Sequence, residues 1–342
     1  MDDKLGVVGV RRVAPAGQFD VVPLGWLLYV GRMTGNPALL EEIRREMDAA
    51  GGRITFCRFM ERALYHPRHG YYTTGQNRIG RAGDFFTSVS VGPLLGRILA
   101  RQFRLWGVTE ITEFGSHRGQ LRDDILAAAP ALRYRTIEAG DPLPDRLAGC
   151  VFSNEFLDAL PVHRIDGDHE VYVTGDFQEA LGPLSDGRLP RLPAGYRSEI
   201  NLRAQDWLRD VGERLTEGYL LTIDYGLERA EYFAPHFKDG HLQCYHRHTK
   251  SGNPYQHIGE QDITAHVEFT SLIELGEQLG LETVRFTDQA HYLLDIGEPL
   301  IREIVERDAG KPSADRNAIH QLTHPGLMGR AFKVLIQRKR AG

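Results

Sequence analysis

Cysteine is scarce in this chain. There are 3 in 342 residues, and Cys57, Cys150 and Cys244 lie far apart with no CxxC pair. That spacing argues against a disulfide framework and against a thiolate zinc site, and it fits a reducing compartment. Long hydrophobic runs are also missing. The one apolar run near the N-terminus, residues 21–30, is broken by Pro23 and Gly25 and is about half the length needed to cross a bilayer. Arg11 and Arg12 precede it, but no small-x-small cleavage site follows, so neither a signal peptide nor a membrane span is expected. Neither sign of charge dominates. Lysine plus arginine number 41 against 46 acidic residues, a net charge of −5, which lacks the basic excess of a nucleic-acid binder. No internal repeat and no low-complexity tract is visible. These absences lead to an expected cytoplasmic location without a nucleic-acid partner.

What remains is an ordinary globular composition, 42% hydrophobic and 25% charged. Met33 and the TGNPALLEEIRREMDAAGG that follows read as a fresh start with a capped helix. Residues 1–35 are therefore expected to be a weakly ordered extension, with 1–32 an upstream over-translation as one origin. Asn36 can cap a helix that Pro37 opens and Gly51-Gly52 stops. Thr55 can cap a second helix carrying Phe59, Met60, Ala63 and Leu64 at helical spacing, and Pro67 and Gly70 end it. Residues 75–90 read as a loop and 93–106 as another apolar helix, so 36–108 forms a mostly helical N-terminal part.

From 109 to 342 the pattern is α/β. Residues 109–114 are a short β-branched run, followed by GSHRG and a helical QLRDDILAAA, the strand–glycine loop–helix order that opens a nucleotide-binding unit. Further strand candidates are 134–137, 150–153 and 219–223. They end in Glu138, Asn154-Glu155 and Asp224-Tyr225-Gly226. Ligands of open parallel sheets sit beyond the carboxyl ends of strands, so these termini mark a site. A helix over 270–279 and a strand over 330–337 complete the sheet. Residues 161–202 and 230–267, rich in Gly and Pro breaks, read as lid insertions.

Several stretches resemble one family, the MidA family of S-adenosylmethionine-dependent methyltransferases, relatives of a mitochondrial complex I assembly methyltransferase. They are ITFCRFMERALYHPRHGYY, GRAGDFFTS, SNEFLDALPVHR, LTIDYG, GEQDITAHVEF and MGRAFKVL, in family order over roughly residues 36–340. The most specific is NEFLDALPV. The resemblance implies a class I methyltransferase fold, Rossmann-like with a mostly parallel sheet, plus a helical N-terminal part and lids. It also implies S-adenosylmethionine as cofactor, methylation of an arginine in a protein partner, and a respiratory-complex subunit as that partner. A homodimer is among the expected assemblies.

Carried residue by residue, the resemblance places cofactor contacts at Glu113, Gly115 and Gly119, and at Asp84, Thr87 and Ser88 of GDFFTS. The chain departs from the family at three points. Ser116 and His117 replace a proline and a glycine of the loop, Ser90 replaces a carboxylate, and the sheet is about one βα unit short. If the position of His117 requires positive φ, a non-glycine residue there costs about 1 kcal/mol or more. Two readings of the short sheet stay open. Residues 134–137 are the second strand with Glu138 holding the ribose, or they stand for the third and the ribose acid is absent.

Methyl transfer to nitrogen needs a lone pair aligned with the methyl–sulfur axis, and a guanidinium must be oriented by carboxylates. Glu155 and Asp158, three positions apart, can face one space, and Asn154 adds an amide dipole; these are the catalytic candidates. The competing reading is a helix cap at Asn154. Asp224 either lines the substrate channel or caps the next turn. Residues 230–267 hold six of the fourteen histidines but no HxxxH or HExxH pair, so no metal is expected. His248, Asp262 and His266 fall on the family's lid motif, where they would contact substrate. Two alternatives stand beside the arginine methyltransferase: a pseudo-methyltransferase acting as an assembly factor, and a methyltransferase of small molecules.

Overall fold

Alternation along the run EITEF sends Ile111 to one face of a sheet and Phe114 to the other, and each finds its own core. The computed structural model describes residues 34–74, 88–138 and 140–341. Its main sheet has the order 282–288, 332–339, 215–227, 147–154, 110–114, 133–137. The last four strands, Leu215–Leu227, Leu147–Asn154, Glu110–Phe114 and Arg133–Ile137, are mutually parallel. Phe332–Lys339 runs antiparallel between Leu215–Leu227 and Glu282–Asp288.

The register matters for the site. Phe114 pairs with Ile137 on one side and with Ser153 on the other, and Ser153 pairs with Thr222. Gly115, Glu138, Glu155 and Asp224 therefore leave the sheet together at one edge. Arg133–Ile137 pairs directly with Glu110–Phe114, which settles the choice left by the sequence: it is the second strand and Glu138 stands at its end. Between Arg133–Ile137 and Leu147–Asn154, which flank Glu110–Phe114, the described residues form no helix, and this is where the βα unit is short.

Helices cover both faces. Leu94–Trp106, Gln120–Ala128, Gln289–Arg307 and Ala314–Thr323 bury Ile98, Phe103, Ile125, Tyr292 and Leu322 against Phe152 and Ile223 on one face. Leu202–Arg214 and Phe269–Gln278 bury Trp207, Leu208 and Phe269 with Leu220 on the other. Asn36 caps Pro37–Ala49 by accepting the N–H groups of Ala38 and Leu39, and Thr55 caps Phe56–Tyr65 through the N–H of Arg58. Ser90 does not cap the next helix: its N-cap is Pro93, and Ser90 lies within a short 3₁₀ turn, Ser88–Val91.

Residues 161–202 contribute four short strands. His163–Asp166, His169–Thr174, Glu179–Gly182 and Arg197–Ile200 form an antiparallel sheet that Arg53–Thr55 joins at its edge. A second small sheet, Leu242–His246, Thr249–Ser251 and Asp262–Ala265, comes from the histidine-rich segment. Both sheets share a core with the first two helices through Phe56, Phe59, Val173, Cys244 and Ile263. Among the described residues no helix is long and apolar enough to cross a membrane.

Candidate functional site

The glycine loop starts where the Glu110–Phe114 strand ends. Gly115 has φ +70, and a Cβ there would sit 2.6 Å from the Phe156 ring, so only glycine lets the loop pass the turn after Asn154. Gly119, also at φ +70, is the N-cap of Gln120–Ala128. His117 has φ +52, a left-handed conformation that costs an L-residue about 1 kcal/mol. The residue is exposed. Ser116, where a proline was expected, donates its hydroxyl to Glu138 Oε1 at 2.7 Å, and Asp141 holds the Glu138 N–H at 2.9 Å. Glu113 is buried and accepts from the Tyr134 hydroxyl at 2.9 Å; burial pushes its carboxyl up to about 7 despite that bond.

No helix follows Asn154, so it is not a helix cap. Residues 155–160 form an irregular turn instead, and Glu155 opens it at φ +52. Strain of this kind persists only where neighbours hold it, and here they are identifiable. The Glu155 N–H donates to Ile223 O, and Glu155 Oε1 accepts from the Ser88 N–H at 2.8 Å, the Ser88 hydroxyl at 2.6 Å and Asn154 Nδ2 at 3.2 Å. Glu155 Oε2 is buried with no hydrogen-bond partner among the described residues. Burial outweighs the Ser88 and Asn154 bonds and pushes this carboxyl up to about 7.

Asp158 is 4% exposed, and its Oδ1 likewise has no hydrogen-bond partner among the described residues. Burial first, then the carboxylates of Asp224, Asp262 and Glu155, raise its pKa well above the ordinary value. Asp224 braces the turn: Oδ2 accepts the N–H groups of Phe156 and Leu157 at 3.1 and 2.8 Å, and Oδ1 accepts that of Tyr225 at 2.9 Å. Burial places it at about 7. Asp262, from the Asp262–Ala265 strand, accepts from the Tyr72 hydroxyl at 2.7 Å. Four carboxylates thus converge from three elements. No lysine or arginine among the described residues pairs with Glu155, Asp158 or Asp224.

Beside this cluster lies a small cavity of about 10 Å³ between Asp158, Tyr225, Gln243, Tyr245, Thr264 and His266. His248 is apart from it, exposed in the turn between two short strands. A larger cavity of about 290 Å³ opens at Ser90 and Val91 against the start of Ala314–Thr323. Asp84 and Thr87 lie outside the described residues, as do residues 1–33. The remaining expected contacts gather at the sheet edge. Sequence reasoning gave no role to Tyr72 and Tyr225, which lie in its HGYY and LTIDYG stretches, nor to Gln243 and Tyr245, which lie in no quoted motif. For Gln243 and Tyr245 the available signal was the DITAH stretch, with whose strand they pair. Among the described residues no group of three or more His, Cys, Asp or Glu is placed to hold a metal ion.

Comparison with known proteins shows the family. A family described as "Putative S-adenosyl-L-methionine-dependent methyltransferase" matches residues 131–287. A crystal structure from Burkholderia thailandensis, of a methyl transferase candidate bound to S-adenosyl-homocysteine, is 31% identical with a TM-score of 0.79. The match covers 89% of this chain and 92% of that one. The chain belongs to the MidA family of class I S-adenosylmethionine-dependent methyltransferases. Curated relatives include protein arginine methyltransferase NDUFAF7 homolog of Drosophila melanogaster, 24% identical over 88% of this chain and 85% of that protein. The mouse protein of that name is 23% identical over 82% and 80%. Both are named as mitochondrial, as is the rat protein, which overturns the expectation of a cytoplasmic location.

The residues present fit the family's cofactor. The backbone turns with positive φ at Gly115 and Gly119, so neither of these two positions places a Cβ at the ends of the loop. Glu138 presents an exposed carboxylate, already oriented by Ser116, at the neighbouring strand end where ribose hydroxyls are held in such sheets. Gly115, Gly119 and Glu138 would hold S-adenosylmethionine, which supplies an electrophilic methyl group when bound, whereas Glu113 is buried against Tyr134 and Ser88 gives its N–H and hydroxyl to Glu155.

Proposed function

We propose that this methyltransferase modifies the guanidinium of an arginine in a protein partner, and that Glu155 and Asp158 grip that guanidinium. The carrying observation is a pair of buried carboxylate oxygens, Glu155 Oε2 and Asp158 Oδ1, that lack hydrogen-bond partners among the described residues. An unsatisfied buried acceptor costs about 1–3 kcal/mol, and more when charged. A guanidinium offers five N–H donors in a planar fork together with a positive charge, so it relieves both penalties at once. Ser88 and Asn154 fix one oxygen of Glu155 and leave the other for the acceptor. Asp224 holds the turn that aims both acids. Localising charge on one side of the guanidinium leaves the opposite nitrogen the better nucleophile, and the acids are the nearest groups to take the proton that transfer releases.

The curated relatives' name, protein arginine methyltransferase, supports the same acceptor. The small sheets over 161–202 and 230–267 form the cap against which the partner docks. A respiratory-complex subunit as partner, and a homodimer as the working assembly, rest on the family resemblance alone. The test is incubation with tritiated S-adenosylmethionine and matched peptides that carry arginine or lysine, followed by amino-acid analysis. Label in methylarginine supports the reading. Label in methyllysine alone, or only in small-molecule acceptors, refutes it.

A further inference from the structure

The acidic turn runs on into the small sheet. Residues 155–160 lead through Val162 to His163–Asp166, whose first residue pairs with Ile200, the last of Arg197–Ile200. Asn201 follows, and there the chain enters the helix Leu202–Arg214. That strand pairing brings the start of the helix back alongside the turn, and the half-buried Asn201 side chain uses the proximity twice. Its Oδ1 accepts the Ala204 N–H at 2.8 Å, which caps the helix, and its Nδ2 donates to Leu157 O at 2.7 Å. A backbone N–H only donates and a carbonyl only accepts, so the two partners fix which end of the amide is oxygen.

The Leu157 carbonyl matters because it belongs to the peptide plane ahead of Asp158. Peptide units are rigid, so the direction of the Asp158 Cα–Cβ bond follows from the planes on either side of it. Asp224 grips the N–H groups of Phe156 and Leu157, which lie before those planes. The plane ahead of Asp158 is held by Asn201, with a longer bond of 3.3 Å from the Leu160 N–H inside the turn. The plane behind is held by the Ala265 N–H, which donates to Asp158 O at 3.0 Å. One residue on, Ala159 O accepts from the Tyr65 hydroxyl at 3.1 Å. Three successive carbonyls are thus taken by donors from three elements. Asp158 Oδ1 has no hydrogen-bond partner among the described residues, so nothing at that oxygen corrects a backbone that turns.

We propose that Asn201 is a positioning residue for methyl transfer, one amide that caps the helix and at the same time locks the peptide plane that aims Asp158. Asn201 touches neither acceptor nor donor and acts through Asp158. The inference rests on the arginine reading above and adds to it the group that keeps Asp158 in register with Glu155.

The test is steady-state transfer of labelled methyl from S-adenosylmethionine to an arginine-bearing peptide by the full chain, with a lysine-bearing peptide as control. Asn201→Ser keeps an oxygen for the Ala204 N–H, but that oxygen stands one bond nearer the backbone than Nδ2 and does not replace the donor to Leu157 O. Asn201→Ala removes both bonds. In both variants kcat/KM for the arginine peptide is expected to fall about tenfold, with the Kd for S-adenosyl-homocysteine within about twofold of wild type. The serine variant is expected to unfold at a higher denaturant concentration than the alanine variant, because it keeps the cap. Activity then parts from stability. A merely structural role predicts instead that Asn201→Ser keeps wild-type kcat/KM. That result, or a loss of S-adenosyl-homocysteine affinity parallel to the loss of transfer, overturns the positioning role and leaves the arginine reading standing. The serine variant decides by itself if Asn201→Ala does not fold. Wild-type protein that labels neither peptide, or only the lysine one, overturns both.

Discussion

Replacing Glu155 by glutamine should raise stability and abolish activity at the same time, and the two effects can be sized separately. The folded carboxyl sits at about 7 against an ordinary 4.5, a gap worth about 3 kcal/mol. The sign follows from the direction of the shift. A raised folded pKa means that the native state binds more protons than the unfolded chain between those values, so wild-type stability falls as pH rises from about 4.5 to 7. Glutamine removes that loss and keeps an amide oxygen for the Ser88 N–H and hydroxyl. Its N–H₂ group enters the position of Oε2, which has no partner, and this returns about 1 kcal/mol. The net expectation for Glu155→Gln at pH 8 is therefore about 2 kcal/mol of added stability, vanishing near pH 5. Denaturant unfolding at both pH values reads this, and labelled methyl transfer reads the loss of turnover. S-adenosyl-homocysteine affinity should stay within about tenfold of wild type, roughly 1.4 kcal/mol. A variant less stable at pH 8 would mean that an internal cation already balances the carboxylate. A variant with full turnover would remove Glu155 from the chemistry.

Binding of an arginine acceptor should strengthen as pH rises through about 7, with release of protons, because Glu155 and Asp224 are held near 7 and the cluster must ionise to receive a cation; calorimetry in two buffers of different ionisation enthalpy measures that release, and pH-independent affinity would contradict it. Gly115→Ala combines a positive φ with a contact 2.6 Å from Phe156, so a loss of about 2 kcal/mol in unfolding free energy and at least tenfold in cofactor affinity is expected; wild-type cofactor affinity would show that the loop tolerates a side chain. Asp224→Ala strips acceptors from three backbone N–H groups and should cost about 3 kcal/mol or more in stability, a loss absent if Asp224 served only the acceptor. His117→Gly relieves a positive φ at an exposed position and should tighten S-adenosylmethionine binding; equal or weaker affinity would show that the loop has adapted to histidine.

The parallel strands were readable from short apolar or β-branched runs that end on a polar residue, and that end also placed Glu138, Glu155 and Asp224 at one edge. Asn36 and Thr55 were readable because capping is a local interaction between neighbours in sequence. The irregular turn at Glu155 was less so. Its acids at spacing three fit a helix as well as a turn, and what excludes the helix is the hold of Asp224 and Ser88, 60 to 70 residues away. The small sheets over 161–202 and 242–265 were obscured by Gly and Pro breaks, which leave strands of only three to six residues, too short to show a clear alternation. Ser116 was visible only as a departure from a family pattern. Its use, orienting Glu138, depends on a strand pairing that no local signal specifies. The tyrosine and glutamine around Asp158 gave no spacing signal at all, since the hairpin carrying them meets the acidic turn only in three dimensions.

The central claim is that a methyl donor lodges at the Gly115–Glu138 rim with its reactive end facing Glu155 and Asp158. A crystal structure with S-adenosyl-homocysteine tests this most directly. The account predicts the ribose on Glu138, the backbone of Gly115 against the amino-acid portion, and the sulfur turned toward the two unpartnered carboxylate oxygens. Density showing the sulfur turned away from the acidic turn, or the ligand seated elsewhere, would contradict it.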